Sequence, residues 1–175
     1  MMLWIRNFVK EQRGAAAAEM VLVLPFLIVL LFGSVELATY FYSEHQVLKG
    51  VRDGARFGGR QAFSAIKCSG ATPQAIPADV EEAIIDVTRT GQIDGDTARV
   101  SGWTDADVTV TVDCPLTADV FGSGSSSYGL YMAETNVPRL TVSTSFKYQS
   151  LFGGLGVIDN TFDLRASQEA AVMGL

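Results

Sequence analysis

The longest uncharged stretch of the chain covers residues 20–35, and small residues extend it back to Ala15 with Glu19 as the one charge. An α-helix of this length rises on the order of 30 Å, which matches the hydrocarbon layer of a bilayer. Pro25 lies inside the run and removes one backbone donor, which membrane helices tolerate when neighbouring helices satisfy the freed carbonyl. The pattern therefore predicts a membrane-spanning helix at residues 15–36.

Beyond this run the apolar positions keep a near-helical spacing. The repeating residues are Leu37, Phe41, Leu48, Val51 and Ala55. This spacing predicts that the helix continues, now with one apolar face, to about Phe57. A second helix is expected at residues 79–90, where Asp79 and Glu82 fit a capping box and Gly91 supplies a stop.

Later in the chain the apolar period changes from helical to alternating. The alternating positions are Val108, Val110 and Val112; Leu140, Val142, Phe146 and Tyr148; and Phe162, Leu164 and Ala166. Each set predicts a strand with one buried face. The expected fold class is α+β: a long N-terminal helix, its first half transmembrane, packed on a small antiparallel sheet with a second helix.

The charges on either side of the apolar run differ in sign. Bases precede it at Arg6, Lys10 and Arg13, and acids follow it at Glu36 and Glu44. Because cytoplasmic flanks carry an excess of Lys and Arg, the N-terminus is expected in the cytoplasm and residues 37–175 outside it. Cys68 and Cys114 are the only cysteines, so an oxidising outer compartment would favour one structural disulfide. Cys114 shares the parity of the first valine set and should point inward.

Composition narrows the chemistry of the outer part. The formal net charge of −6 does not favour nucleic-acid binding. His45 is the only histidine, so a Ser-His-Asp or Cys-His catalytic set could be built only around this residue. We expect no enzyme activity, no cofactor and no metal. Asp94 and Asp96 are interpreted as a turn, with a weak metal site as the alternative. Residues 122–129 and 151–157 are expected to form a flexible loop and a Gly-rich connector.

Two four-residue repeats lie on the continued helix. Gly50, Gly54 and Gly58 indicate close backbone approach, either to a neighbouring subunit's helix or, as we favour, to the chain's own sheet. Arg52, Arg56 and Arg60 could meet acids on a neighbour or form a solvated or intrachain face, and the second reading is favoured. Asp53 is expected to pair, if at all, with Arg56.

The junction before the apolar run has the wrong order for an ordinary secretory signal, in which the small residues follow the apolar stretch. Here Gly14 and Ala15 precede it and Glu19 is the fifth residue after Gly14, so cleavage would leave the anchor in place. This layout resembles the type IV prepilin leader. The wider resemblance is to TadE-like pseudopilins of tight-adherence pilus systems. It is carried by that junction, by the motifs LPF, FG and VRDGAR, and by the C-terminal LRAS with AAV. An aromatic residue usually follows the Glu in that family, where this chain has Met20.

The resemblance implies a membrane-anchored minor pilin or pseudopilin, with residues 1–14 as a cytoplasmic leader removed by a prepilin peptidase. It also implies as partners other pilin-like subunits and the tight-adherence assembly machinery of the bacterial inner membrane. The outer head would lie in the periplasm, and entry into the fibre, capping it and staying in the membrane are all open. Two alternatives from the residues are an unprocessed membrane-tethered binding module or adhesin, and an anchored periplasmic enzyme.

Overall fold

The computed structural model describes residues 13–122, 129, 131, 134–153 and 162–174. The chain divides into two compact units, Met1–Thr39 and Tyr40–Leu175. The helices are α1 (Arg13–Gly59), α2 (Ala78–Thr90) and the short α3 (Thr117–Phe121). The strands are β1 (Cys68–Ser69), β2 (Thr72–Pro73), β3 (Val108–Asp113), β4 (Arg139–Lys147) and β5 (Asp163–Ala171). The predicted α+β fold is confirmed.

The first unit consists, in its described part, of the N-terminal half of α1. The helix begins at Arg13 and continues through Pro25 without a break. Residues 17–35 are exposed at every position, although most of them are apolar. Residues 17–35 therefore join no core formed by the described residues of this unit.

In the second unit α1 contributes a buried face to a hydrophobic core. Val47, Val51 and Ala55 are at most 1% exposed, and they cluster with Leu140 and Leu164 of the sheet. The three helix residues follow one another at four-residue steps, which places them on one side of the helix. The continuation predicted to about Phe57 is confirmed, and the helix ends at Gly59.

Helix α2 begins one residue earlier than predicted and uses a different start signal. Pro77 is the N-cap residue, with φ −56° and ψ 138°, and no side chain caps the helix. The predicted capping box of Asp79 and Glu82 is therefore wrong, because Pro77 holds its own φ and the helix starts directly after it. Asp79 lies in the first turn, where a carboxylate is favoured by the helix dipole. The predicted stop is present: Gly91 has φ 86° and its N–H donates to the Val87 carbonyl oxygen.

The three predicted strands form one antiparallel sheet in the order β3-β4-β5. Val110 pairs with Val142, and Val142 pairs with Gln168 on its other side. The third strand ends at Ala171, five residues beyond Ala166, the last position of the predicted alternation. The hairpin of β1 and β2 was not predicted, because two-residue strands carry no period.

Trp103 is the largest fully buried side chain of the second unit. Its ring stacks on Phe146 with the ring centroids 5.5 Å apart. Its Nε1–H donates to the Thr144 hydroxyl at 3.0 Å, and that hydroxyl donates to the Asp107 carbonyl oxygen at 2.8 Å. The indole thus fills the core and keeps its polar group satisfied.

Three predicted segments lie wholly or partly outside the described residues. Of the leader 1–14, the structure describes only residues 13 and 14. Of the loop 122–129 it describes Gly122 and Gly129, and of the connector 151–157 it describes residues 151–153.

Candidate functional site

The junction predicted for cleavage lies in the first turn of α1. Gly14 is exposed, and a Cβ built on it would have no heavy atom within 4 Å. Gly14 and Ala15 both have helical backbone conformation. The first amides of a helix lack intrahelical acceptors, so this turn is the easiest one to open.

Glu19 lies just inside the apolar half of α1. Its side chain is exposed, and among the described residues it has no ion-pair partner. A carboxylate at such a place is costly in lipid unless it finds a cation or a donor. If this segment lies in a membrane, the partner of Glu19 has to come from a group outside this described set.

The half of α1 that follows Glu19 presents apolar side chains in all directions. Leu22, Phe26 and Leu30 are 71%, 72% and 69% exposed. The helix is long and apolar enough to cross a bilayer, and only 6% of its most apolar window is buried. A helix that is apolar all round is a membrane span or a buried element, and the head does not bury this one. These features fit a single-pass membrane protein.

Gly50, Gly54 and Gly58 of α1 face inward in the second unit. A Cβ on Gly54 would overlap the Thr88 hydroxyl and lie 3.3 Å from the Ile84 carbonyl oxygen, while one on Gly50 would lie 2.8 Å from Trp103 Cη2. A Cβ on Gly58 would overlap Leu140 and lie 3.1 Å from Ile84 Cδ1. The glycine face is thus occupied within the chain. The element that these glycines contact most is α2, whereas the sequence analysis favoured the sheet. The sheet contacts them through Leu140, which lies against Gly58.

The junction, the apolar span and the beginning of the glycine face lie in one continuous stretch of sequence. Residues 14–56 match the model of the TadE-like protein family. The resemblance is therefore confirmed for this TadE-like segment, which is less than half of the chain. Neither the search of curated proteins nor the search of solved structures finds a match.

The TadE-like segment ends before the two cysteines, which the structure joins in a disulfide. Cys68 in β1 and Cys114 directly after β3 have Cα atoms 5.9 Å apart. Cys114 is 7% exposed, as its parity in the strand predicted. The bond connects the segment that follows α1 to the end of β3.

One ion pair of the TadE-like segment differs from the sequence prediction. Asp53 does not pair with Arg56; its Oδ2 accepts from Arg99 Nη2 at 2.8 Å. Arg52, Arg56 and Arg60 are all exposed. Arg99 could not be found from local spacing, because its partner lies 46 residues earlier in the chain.

A second charged group lies across one end of the sheet. Arg139 Nε donates to Asp113 Oδ1 at 3.0 Å, and its Nη1 lies 3.2 Å from Glu169 Oε2. The hydrogen bonds from Arg139 lower the pKa of the Asp113 carboxyl below its ordinary value. At the other end, hydrogen bonds from Lys147 and Arg165 lower the pKa of Asp163 in the same way. These ion pairs lie at the two ends of the sheet and connect side chains of neighbouring strands.

The residues considered for metal or catalysis do not come together. Asp94 has φ 57° and lies in a turn with Gly95. Among the described residues, no three His, Cys, Asp or Glu side chains are placed to hold a metal ion. His45 is exposed on α1.

Thr88, on which the packing of Gly50 and Gly54 depends, was not among the residues predicted from the sequence. It is fully buried, and its hydroxyl donates to the Ile84 carbonyl oxygen at 2.7 Å. The signal was present, because Ile84 and Thr88 are four residues apart and so share a helix face. A hydroxyl that bonds back to its own helix can take such an apolar position.

Proposed function

We propose that this chain is a membrane-anchored minor pilin or pseudopilin that is cleaved after Gly14 and acts in the assembly or initiation of a tight-adherence pilus. The observation that carries the proposal is the TadE-like match over residues 14–56, which begins at the proposed cleavage point. Residues 17–35 of the apolar span that follows are exposed, as expected of a membrane anchor.

The proposed chemistry depends on the spacing of two groups. Cleavage after Gly14 would give Ala15 a free α-ammonium, and Glu19 follows about one helical turn later. The ammonium, from the same chain or from a neighbour, would neutralise the Glu19 carboxylate inside a bundle of packed helices. The cost of an acid in lipid would thereby become a preference for assembly.

Three segments would then have separate roles. Residues 1–14 would be the cytoplasmic leader, residues 15–36 the inner-membrane span, and residues 37–175 the periplasmic head. The prepilin peptidase would remove the leader, and other pilin-like subunits with the tight-adherence machinery would be the later partners. A disulfide between Cys68 and Cys114 is consistent with an oxidising compartment for the head.

The role would be structural and not enzymatic. The proposal assigns the work of the protein to helix packing and to the charge pair at the start of the span. No step of it requires a nucleophile, a general base, a cofactor or a metal.

The proposal is tested by complementing a strain that lacks this protein with Glu19→Ala. We expect loss of surface pili while the protein remains in the membrane fraction, because the apolar span is longer and more apolar than before. Glu44→Ala is the matched control, since Glu44 lies on the same helix beyond the span, and it should restore pili. Normal piliation with Glu19→Ala, or in the strain without the protein, would contradict the proposal.

A further inference from the structure

The helices of the second unit carry two charged stripes, one cationic and one acidic. The cationic stripe on α1 consists of Lys49, Arg52 and Arg56, with Arg60 just beyond the helix end. The acidic stripe on α2 consists of Asp79, Glu82 and Asp86. In each stripe the first three members are spaced three and then four residues apart, which places them along one helix face.

Neither stripe is neutralised within the part of the chain that the structure describes. The cations Lys49, Arg52, Arg56 and Arg60 are exposed and form no ion pair there. The three acids of the acidic stripe form no ion pair there either. Other cations of the head do have partners: Arg89 pairs with Asp105, Arg99 with Asp53 and Arg139 with Asp113. Each stripe is therefore a run of charges of one sign that forms no ion pair among the described residues.

The acid nearest in the groove beside the cationic stripe is already engaged. Arg52 and Arg56 line this groove between α1 and β5 together with Glu169. The Glu169 carboxylate lies 3.2 Å from Arg139 Nη1. Arg52 and Arg56 thus remain available to a partner from outside the chain.

The two stripes cannot meet within one chain. On α1, Arg52 and Arg56 each precede by two residues a glycine that contacts α2, namely Gly54 and Gly58. Two residues correspond to about 200° around a helix, so these arginines point away from α2.

The same relation holds on the other helix. Glu82 and Asp86 each precede by two residues the α2 residues Ile84 and Thr88, which face the glycines. The acids therefore point away from α1, again by about 200°. One head accordingly presents cations on one side of the α1–α2 pair and acids on the opposite side.

We propose that the cationic stripe of one copy docks on the acidic stripe of a second copy of this chain, in a head-to-tail contact. The occupant follows from charge complementarity: the first three members of each stripe have the same residue spacing, and they span about 10 Å of helix. A contact between two different patches of identical subunits is heterologous, and it can be repeated from copy to copy. This inference rests on the proposed function, for which it names the surface and the partner.

Such a contact gives register and not high affinity. Exposed ion pairs are individually weak and are screened by salt. Anchoring both copies in one membrane raises their effective concentration, so weak pairs suffice to select one arrangement. The contact should therefore be measured between full-length chains in the membrane and at low ionic strength.

The test is crosslinking between two differently tagged full-length copies in the same membrane. One copy carries His45→Cys, four residues before Lys49 on the cationic face, and the other carries Ala83→Cys beside Glu82. A flexible bis-maleimide that can span one stripe then joins only different copies. We expect a crosslinked dimer that decreases at least fivefold when the salt concentration is raised from low to high.

Charge reversal supplies the decisive comparison. Arg52→Glu with Arg56→Glu in both copies should reduce the dimer at least fivefold, and so should Glu82→Arg with Asp86→Arg. All four substitutions together should restore it, because the two reversed stripes are again complementary. Lys67→Glu, an exposed cation outside the stripe, is the control and should leave the yield unchanged.

Each result of this experiment bears on the contact. A dimer yield that neither reversal lowers, or a quadruple variant that stays uncrosslinked while its Cys68–Cys114 bond is intact, overturns the proposal. Intact mass of the same samples reports the leader separately. A retained leader would contradict the proposed function, whereas absence of the dimer when both stripes are unchanged, with normal leader removal, would contradict the contact alone.

Discussion

The two halves of helix α1 differ in whether their apolar side chains are buried within the chain. In the first unit, residues 17–35 are mostly apolar and exposed all round. In the second unit the same helix buries Val47, Val51 and Ala55, and its glycines contact α2. The second half finds its partners in its own chain, whereas the exposed, apolar first half fits a membrane span. One helix therefore combines an element of a stable head with an element that is incomplete alone.

Removing the disulfide should cause the largest change in the stability of the head. A crosslink over 46 residues restricts the unfolded chain by roughly 4 kcal/mol. Cys68→Ser with Cys114→Ser should lower the free energy of unfolding of the head by about that amount. Denaturant titration of the full chain in detergent measures the loss. Membrane insertion should be unchanged, and a variant that leaves the membrane would show that the two halves are not independent.

The second prediction breaks the anchor and leaves the head intact. Leu27→Arg places a charge near the middle of the span, at a cost of about 3 kcal/mol for insertion. The protein should shift from the carbonate-resistant membrane fraction toward the soluble fraction. Tyr42→Arg is the matched control, because Tyr42 is an exposed apolar residue of α1 in the second unit. Equal behaviour of the two variants would contradict the assignment of the span.

The third prediction concerns the glycine face. Gly54→Ala gains helix propensity of about 1 kcal/mol, but its methyl group would overlap the buried Thr88 hydroxyl. Overpacking of this kind costs about 1–3 kcal/mol, so the variant should be less stable than wild type by about 1 kcal/mol. Adding Thr88→Ala should recover part of that loss in a double-mutant cycle. Gly33→Ala, with no atom within 4 Å of its Cβ, should not destabilise the head.

The smallest effect is expected at the charged end of the sheet. Hydrogen bonds from Arg139 lower the pKa of Asp113 in the folded chain, so this group stabilises the fold above its unfolded pKa of about 3.9. The stabilisation is lost as the pH falls through the lower folded pKa. Because both side chains are nearly half exposed, Asp113→Asn should cost only about 0.2–1 kcal/mol at pH 7. The difference between variant and wild type should vanish in acid, and a constant difference down to pH 2 would contradict this cause.

The sequence predicted elements better than it predicted their neighbours. The period of Val108, Val110 and Val112 was enough to place a strand and to point Cys114 inward. The repeat of Gly50, Gly54 and Gly58 defined a helix face, but a repeat does not say which element approaches that face. The partner proved to be mainly α2, through Thr88 and Ile84.

Local rules failed where a distant or stronger local constraint decided the geometry. Asp53 has an arginine at the helical spacing, yet it pairs with Arg99, which tertiary folding brings near. Asp79 has the residue type and spacing of a capping box, yet Pro77 starts the helix before it. The junction at Gly14 was found from residue order, whereas its helical conformation depends on how far α1 extends.

The most direct test of the account is the intact mass of the full-length protein isolated from its native membrane. If the chain is cleaved after Gly14, the mature wild-type protein should begin at Ala15. The Gly14→Leu variant should still begin at Met1, while Gly33→Leu should be processed like wild type. A wild-type protein that retains residues 1–14 in a membrane containing active prepilin peptidase would contradict it.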